Sequence, residues 1–253
     1  DDLGHPLEIG SYKGLRPWGV ALGPTTLLPG VKDSSSVKIS TLTVKFAPFA
    51  SLLNWQPVVI FNPKGTEILL NKNDQGSFWF LPQSGNSKSS NLHLRFNLKG
   101  LTKIEFNSGE SIVYSKGNIA LNLSKKKIYG AINFYSKNQG SIYLSGKGFW
   151  DGLDFKTKAR INKLRLNILQ GILGKDLNIV TNGEVNANLN LGIDKGFIKC
   201  KGDLSVKDLN LRVGILSEKL STKNSKLICD NNKLSIKDST WNYGYWEILN
   251  SAE

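Results

Sequence analysis

The sequence predicts a mainly β protein, built as one elongated antiparallel sheet that rolls into an open trough. Apolar and polar residues alternate along many stretches, and the stretch from Gly183 to Val213 shows this with few breaks. Gly is frequent, at 25 of 253 residues, and Gly, Asn and Ser clusters separate the alternating stretches as turns do. About fifteen strands follow from this pattern, and strands ~4.8 Å apart would make a flat sheet of ~70 Å. Such a sheet must roll over to cover its apolar face.

The chain is predicted to divide into an opening segment and a long repeat region. Residues 1–35 are rich in Gly and Pro without a sustained period, which indicates an irregular segment with one or two short strands. Residues 36–253 are predicted to form a continuous strand-repeat region. Its possible sub-units are 36–159 and 160–253, because a strand–turn–strand plan in the first is echoed in the second.

Two stretches predict helices within this β pattern. Apolar residues at helical spacing indicate a short helix near 48–54. A second stripe, formed by Ile161, Leu164 and Ile168, predicts an amphipathic helix near 161–173. Packing on the sheet is the simpler role for the second helix, and lying on a membrane surface is the alternative.

The charge balance is strongly basic, with 33 Lys and Arg against 20 Asp and Glu and a net charge of +13. Many basic residues alternate with apolar ones, as Lys156, Lys158 and Arg160 do, which is typical of a solvated strand face. No nucleic-acid-binding motif is present, so we expect no nucleic-acid partner. An anionic lipid surface near this basic face is the remaining alternative.

The residue types that carry catalysis or bind metals give no pattern. The two histidines, His5 and His93, have no ligand at metal-binding spacing, and His93 is predicted to lie on the polar face of a strand. No nucleophile, nucleotide or cofactor motif occurs, so the sequence predicts no enzyme, no metal and no cofactor. Cys200 and Cys229 are in phase with apolar neighbours and are predicted to be small core residues. A bridge between them stays possible if their strands are neighbours.

The chain is predicted to be a piece of a longer polypeptide. It opens on Asp1 and Asp2 without an initiating Met, and no apolar run reaches the roughly 18 to 20 residues of a membrane span. Any anchor or export signal would therefore lie outside this sequence.

The apolar parity of the strands defines a candidate binding face. A large uncovered apolar face usually marks a binding surface in a soluble protein. The aromatic clusters near strand ends fit either core packing or the lip of a trough. The predicted groove-lining residues are Leu153, Phe155, Val185, Ala187, Leu189, Leu191, Ile198, Cys200, Leu204 and Val206.

Three stretches resemble the AsmA/TamB superfamily, and in particular TamB-like proteins of cyanobacteria and plastid envelopes. "LGHPLEIGSYKGLRPWGVALGPTTLLP" is similar to the segment that directly follows the membrane anchor in that branch. "VKISTLTVKFAPFASLLNWQPVVIFNPKGTEILLNKNDQGSFWF" resembles its opening unit of strand, short helix and strand. "RINKLRLNILQGILGKDLNIVTNGEVNANLNLG", with "GFIKCKGDLSVKDLNLRV", resembles its Leu-rich helix and repeat unit. The resemblance covers essentially the whole chain.

The resemblance implies an N-terminal periplasmic part of a translocation and assembly module subunit, without its membrane anchor. Such proteins are anchored in the inner membrane and cross the periplasm or intermembrane space as an open β-taco with an apolar concave face. They are linked to phospholipid transport between membranes and to outer-membrane protein assembly and translocation. The implied partners are acyl chains, the membrane through the anchor, and an outer-membrane BamA-type barrel through a C-terminal part that this chain lacks. The alternative is a structural β-repeat scaffold that handles barrel-protein precursors without carrying lipid.

Overall fold

The computed structural model describes residues 5–30, 34–71, 91–106, 111–136, 140–149, 154–166, 180–194, 197–212, 217–231, 233–237 and 239–250. The prediction of a mainly β fold is confirmed, because the described residues form one large, mostly antiparallel sheet and a single short helix. The elements, in chain order, are β1 Leu7–Glu8, β2 Tyr12–Arg16, β3 Gly19–Leu22, β4 Thr25–Leu27, β5 Ser36–Phe46, α1 Pro48–Asn54, β6 Val58–Leu70, β7 His93–Phe106, β8 Ser111–Asn122, β9 Lys127–Ser136, β10 Gly140–Phe149, β11 Asp154–Arg165, β12 Val180–Asp194, β13 Phe197–Arg212, β14 Leu220–Asp230, β15 Lys233–Lys237, β16 Ser239–Tyr243 and β17 Trp246–Asn250.

The chain forms two compact units. Unit 1 holds residues 1–107, 112–132 and 147–151, and unit 2 holds the rest. The sequence placed a possible division near residue 160, within one continuous repeat region.

Unit 1 is arranged around β5. One edge of β5 pairs antiparallel with β3 along its C-terminal half and with β4 along its N-terminal half. Strand β2 extends from β3, and β1 extends from β4. The opening segment, expected to be irregular with one or two strands, thus contributes four short strands within its described part.

The other edge of β5 leads into the rest of unit 1. Strand β6 pairs antiparallel with β5, and β7 pairs parallel with β6. Gly117 of β8 and Gly130 of β9 lie against each other's strands so closely that a Cβ on Gly117 would be 2.2 Å from the Ala131 oxygen. The absence of a side chain at these glycines therefore permits the backbone approach.

Unit 2 contains a run of long antiparallel neighbours. Strands β11, β12, β13 and β14 pair successively. The C-terminal end of β14 pairs with β15, its N-terminal end pairs with β16, and β16 pairs with β17. These strands place alternate residues on opposite faces, so the register determines which side chains share a surface.

The short helix predicted near 48–54 is confirmed as Pro48–Asn54. Pro48 stands in the first turn, where a missing backbone N–H costs nothing and the fixed φ favours the helix. Trp55 ends the helix in the left-handed conformation, with φ at 52°, and its N–H donates to the Leu52 carbonyl.

The helix predicted near 161–173 is wrong where the structure describes it, because β11 continues to Arg165. A bulge between Ile161 and Leu164 places three steps of β11 against two of β12. Lys163 takes up the extra residue with φ at 48°, and its N–H donates to the Asn186 side-chain oxygen at 2.8 Å. The bulge keeps Ile161 and Leu164 on one face of the strand although they are three residues apart, and this spacing is the same as that of apolar residues on one side of a helix. The remaining part of the predicted helix, 167–173, lies outside the described residues.

Candidate binding face

Most of the predicted groove residues lie on one face of β11 to β14, in rows that cross the strands. One row joins Ile161, Ala187, Leu204 and Leu227 as direct register partners. The neighbouring rows are Leu164, Val185, Val206 and Ser225; Ala159, Leu189, Gly202 and Cys229; and Thr157, Leu191 and Cys200. We call these rows, together with Phe155, the apolar face of unit 2.

The opposite side of the same strands is mostly polar and carries several basic residues. Lys158 pairs with Asn190, which pairs with Lys201, and all three are exposed. Arg160, Asn188 and Asp203 form a second exposed polar row. The basic residues that alternate along the sequence therefore form a solvated strand face, as their parity predicts.

One end of the apolar face is a packed core. Val185, Val206 and Leu209 are only 6%, 7% and 8% exposed, and they form a buried cluster. The partly buried side chains packed against this cluster are Ile161, Leu166, Leu204, Leu227 and Trp241.

The rest of the apolar face combines small buried residues with larger half-buried ones. Ala159 and Cys229 are buried, whereas Phe155, Leu189 and Leu191 remain half-buried. Gly202, between Leu189 and Cys229 in its row, adds no side chain to the face. Large apolar side chains thus retain exposed surface at the end that is away from the Val185 cluster.

The predicted residues fall into three groups. Leu153 lies outside the described residues, and only the backbone of Ile198 is described, where it pairs with Ile193. The others lie together on the apolar face: Phe155, Val185, Ala187, Leu189, Leu191, Cys200, Leu204 and Val206.

Sequence reasoning missed several residues of this face. Ile161 and Leu164 were assigned to a helix, although their strand partners Ala187 and Val185 alternate clearly. Leu209 lies out of phase with Val206 in the sequence, and the register of β12 against β13 shifts between Asn182 and Glu184. A phase change in the apolar alternation is the signal that marks both places.

Cys200 and Cys229 form a disulfide, which is the alternative that the sequence left open for cysteines on neighbouring strands. Their strands, β13 and β14, are neighbours, and Cys229 pairs with Gly202, two residues from Cys200 on the same face. The Cα atoms are 5.8 Å apart, within the usual span of a disulfide.

His93 is buried, although its alternation with leucines placed it on the polar face of a strand. It lies at the start of β7 in unit 1, is 2% exposed, and its Nε2 is 3.0 Å from the Tyr129 hydroxyl. Burial, and secondarily the nearby Arg95 charge, lower the pKa of His93 from its ordinary value.

Metal-ligating residues do not cluster in the part of the chain that the structure describes, where no three His, Cys, Asp or Glu side chains could hold an ion together. Among the described residues, none of the helices is long and apolar enough to cross a membrane.

Comparisons with protein-family models, with curated proteins and with solved structures found no match for this chain.

Proposed function

We propose that the apolar face of unit 2 binds lipid acyl chains, as part of a TamB-like envelope protein that moves phospholipid between membranes. The observation that carries this proposal is the set of register rows that align apolar residues across four strands while the reverse face is mostly polar. Water contact with half-buried leucines is unfavourable, and an acyl chain lying on them removes that contact.

The energetics favour a long apolar ligand over a small one. Burial of each methylene contributes about 0.8 kcal/mol, so an acyl chain gains affinity with length. The half-buried Leu189 and Leu191 offer surface to such a chain, and the packed Val185 cluster closes one end of the contact area. The face requires neither catalytic groups nor a cofactor for this role.

The disulfide supports the envelope location that the proposal requires. Disulfides form and persist in oxidising compartments such as the bacterial periplasm and are rare in the cytosol. A disulfide of this kind is consistent with the proposed location in the periplasm or intermembrane space.

A second candidate is a scaffold that handles barrel-protein precursors without carrying lipid. Strand β17 favours it, because β17 has its described register with β16 on one edge, and Trp246 within β17 and the preceding Tyr245 are 76% and 106% exposed. An added strand from another polypeptide pairs with such an edge through its backbone.

Native mass spectrometry with lipid extraction tests the first candidate. We expect phospholipid to copurify in stoichiometric amount and to be lost from the Leu189→Asp, Leu191→Asp double variant. The matched control is Asn188→Asp with Asn190→Asp, which adds the same charge to the same strand on the exposed face. The control should retain lipid, because its side chains do not touch the apolar face.

Two outcomes contradict the lipid proposal. One is a folded, monodisperse wild-type chain without lipid, and the other is equal lipid in both double variants. A photo-crosslinker at Leu189 then separates the candidates, because a scaffold is captured with polypeptide and a lipid carrier with acyl chains.

A further inference from the structure

Helix α1 turns its apolar side away from the protein. Phe49, Leu52 and Leu53 share one side of the helix and are 80%, 66% and 82% exposed. Ser51, on the opposite side, faces the sheet: its hydroxyl donates to the Ala47 carbonyl at 2.8 Å and accepts from the Val58 N–H at 2.8 Å. An ordinary surface helix buries its apolar side, so this one is inverted.

Further large apolar side chains are exposed near helix α1 in unit 1. The β2–β3 turn reaches it, because the Phe46 N–H donates to the Trp18 carbonyl at 2.8 Å. Trp18 is 67% exposed, Phe46 is 45% exposed, and Trp55 at the end of α1 is 86% exposed. We call this set the apolar tip: Trp18, Phe46, Phe49, Leu52, Leu53 and Trp55.

Basic residues adjoin the apolar tip. Arg16, Lys45 and Lys64 line a cleft of about 520 Å³, and its other lining residues in the described part of the chain, Thr43, Asn62, Pro63 and Asn97, include no carboxylate. Arg16 and Lys45 stand close to Trp18 and Phe46 in the chain, and Arg16 and Lys45 both have Gly19 as register partner. Arg16 and Lys45 therefore adjoin the apolar tip, and Lys64 shares their cleft.

We propose that the apolar tip inserts into the interface of an anionic lipid bilayer, with Arg16, Lys45 and Lys64 contacting lipid phosphates. Exposed Leu and Phe favour the acyl boundary, Trp favours the headgroup level, and Lys and Arg favour anionic headgroups. A helix with an exposed apolar side and cations close to it matches a membrane surface in both hydrophobicity and charge. The inference concerns unit 1 and stands independently of lipid binding on the apolar face of unit 2.

Vesicle cosedimentation of the full chain tests the proposal. We expect strong binding to vesicles of equal parts phosphatidylcholine and phosphatidylglycerol, and weak binding to phosphatidylcholine alone. Phe49→Ser with Leu53→Ser should weaken binding to the anionic vesicles at least tenfold. Arg16→Gln with Lys45→Gln should weaken it by about fivefold per removed charge.

The matched control is Tyr245→Ser with Trp246→Ser, which removes two exposed aromatic side chains from unit 2 and should leave vesicle binding unchanged. Vesicles that carry brominated acyl chains should quench tryptophan fluorescence, and Trp18→Phe with Trp55→Phe should abolish most of that quenching. Because these side chains are exposed, or in the case of Lys45 half-buried, circular dichroism should show unchanged folding in each variant.

Three results would overturn the proposal. The first is no binding to the anionic vesicles, and the second is binding that the tip variants leave unchanged. The third is concentration-dependent self-association that the tip variants abolish in the absence of vesicle binding, which would assign the apolar tip to a second copy of this chain.

Discussion

At the residue scale, His93 shows how a distant partner overrides a local pattern. Its neighbours in sequence indicate an outward side chain, but Tyr129, 36 residues away, lies 3.0 Å from its ring nitrogen. Gln56 and Asn122 are also buried nearby in the same unit, and Ser124 hydrogen-bonds to both. A buried polar residue can hydrogen-bond to another buried polar residue that is distant in sequence, and the local alternation of apolar and polar residues does not indicate such a pair.

The burial of His93 predicts an acid-sensitive fold. The pKa of His93 is lower in the folded state than its unfolded value of about 6.5. As the pH falls, His93 therefore takes up a proton more readily in the unfolded chain than in the folded chain, which favours unfolding. The contribution of His93 to stability is therefore complete above about pH 6.5 and declines as the pH falls towards the folded pKa. Urea unfolding across this window should show the decline in the wild-type chain.

His93→Gln is the variant that isolates this effect. It keeps a polar side chain at the site without a group that titrates in this range, and the acid-induced loss of unfolding free energy should shrink. An identical slope in the variant and the wild type would show that other groups cause the acid sensitivity.

At the element scale, β11 explains why periodicity misled. Ile161 and Leu164 are spaced as in a helix, yet the bulge at Lys163 gives the same spacing in a strand. Only the neighbouring strand distinguishes a strand from a helix at this spacing, because Ala187 and Val185 of β12 are the register partners of Ile161 and Leu164. The short α1 was predictable because Pro48 and its apolar residues act within a single turn and need no distant partner.

The bulge makes the length of β11 adjustable at one place. Deletion of Lys163 should leave a regular strand with Ile161 and Leu164 still on the apolar face, and the unfolding free energy should change by less than about 2 kcal/mol. Deletion of Lys158, another exposed lysine, in the regular part of β11, should cost more unfolding free energy, because it moves the residues on one side of the deletion to the opposite face of the sheet.

Urea unfolding of the two deletion variants makes the comparison. If the two deletions lower the unfolding free energy equally, the bulge at Lys163 is a required part of β11, contrary to the prediction.

At the scale of the whole molecule, alternation predicted the faces but not the neighbours. The parity of residues 185–191 assigned an apolar and a polar side correctly, because the pleat alone sets that relation. The pairing of β3 and β4 along one edge of β5, and the parallel pairing of β6 with β7, depend on contacts that no local period encodes. For the same reason the bonded state of the cysteines required the neighbour relation of β13 and β14.

The disulfide should stabilise one unit selectively. Cys200 and Cys229 are 29 residues apart, and closing such a loop restricts the unfolded chain by about 3–4 kcal/mol. In the Cys200→Ala, Cys229→Ala variant, hydrogen exchange should accelerate in β12 to β14 of unit 2. Exchange in β5 and β6 of unit 1 should stay as in the wild type.

Reduction of the wild-type chain with a thiol provides the matched comparison and should reproduce the variant. Unchanged protection in β12 to β14, or an equal loss in β5 and β6, would contradict the selective role.

The parallel pairing of β6 and β7 has a consequence for the order in which the chain folds during synthesis. The pairings of β1 with β4, of β2 with β3, of β3 and β4 with β5, and of β5 with β6 all lie within residues 7–70, whereas β7, the parallel partner of β6, begins only at His93. At translation rates of roughly 5–20 residues per second, the N-terminal strands can pair while the edge of β6 that receives β7 stays open for about a second or longer. A nascent chain on a neighbouring ribosome offers the same β7 strand, so crowded translation favours exchange of this strand between copies.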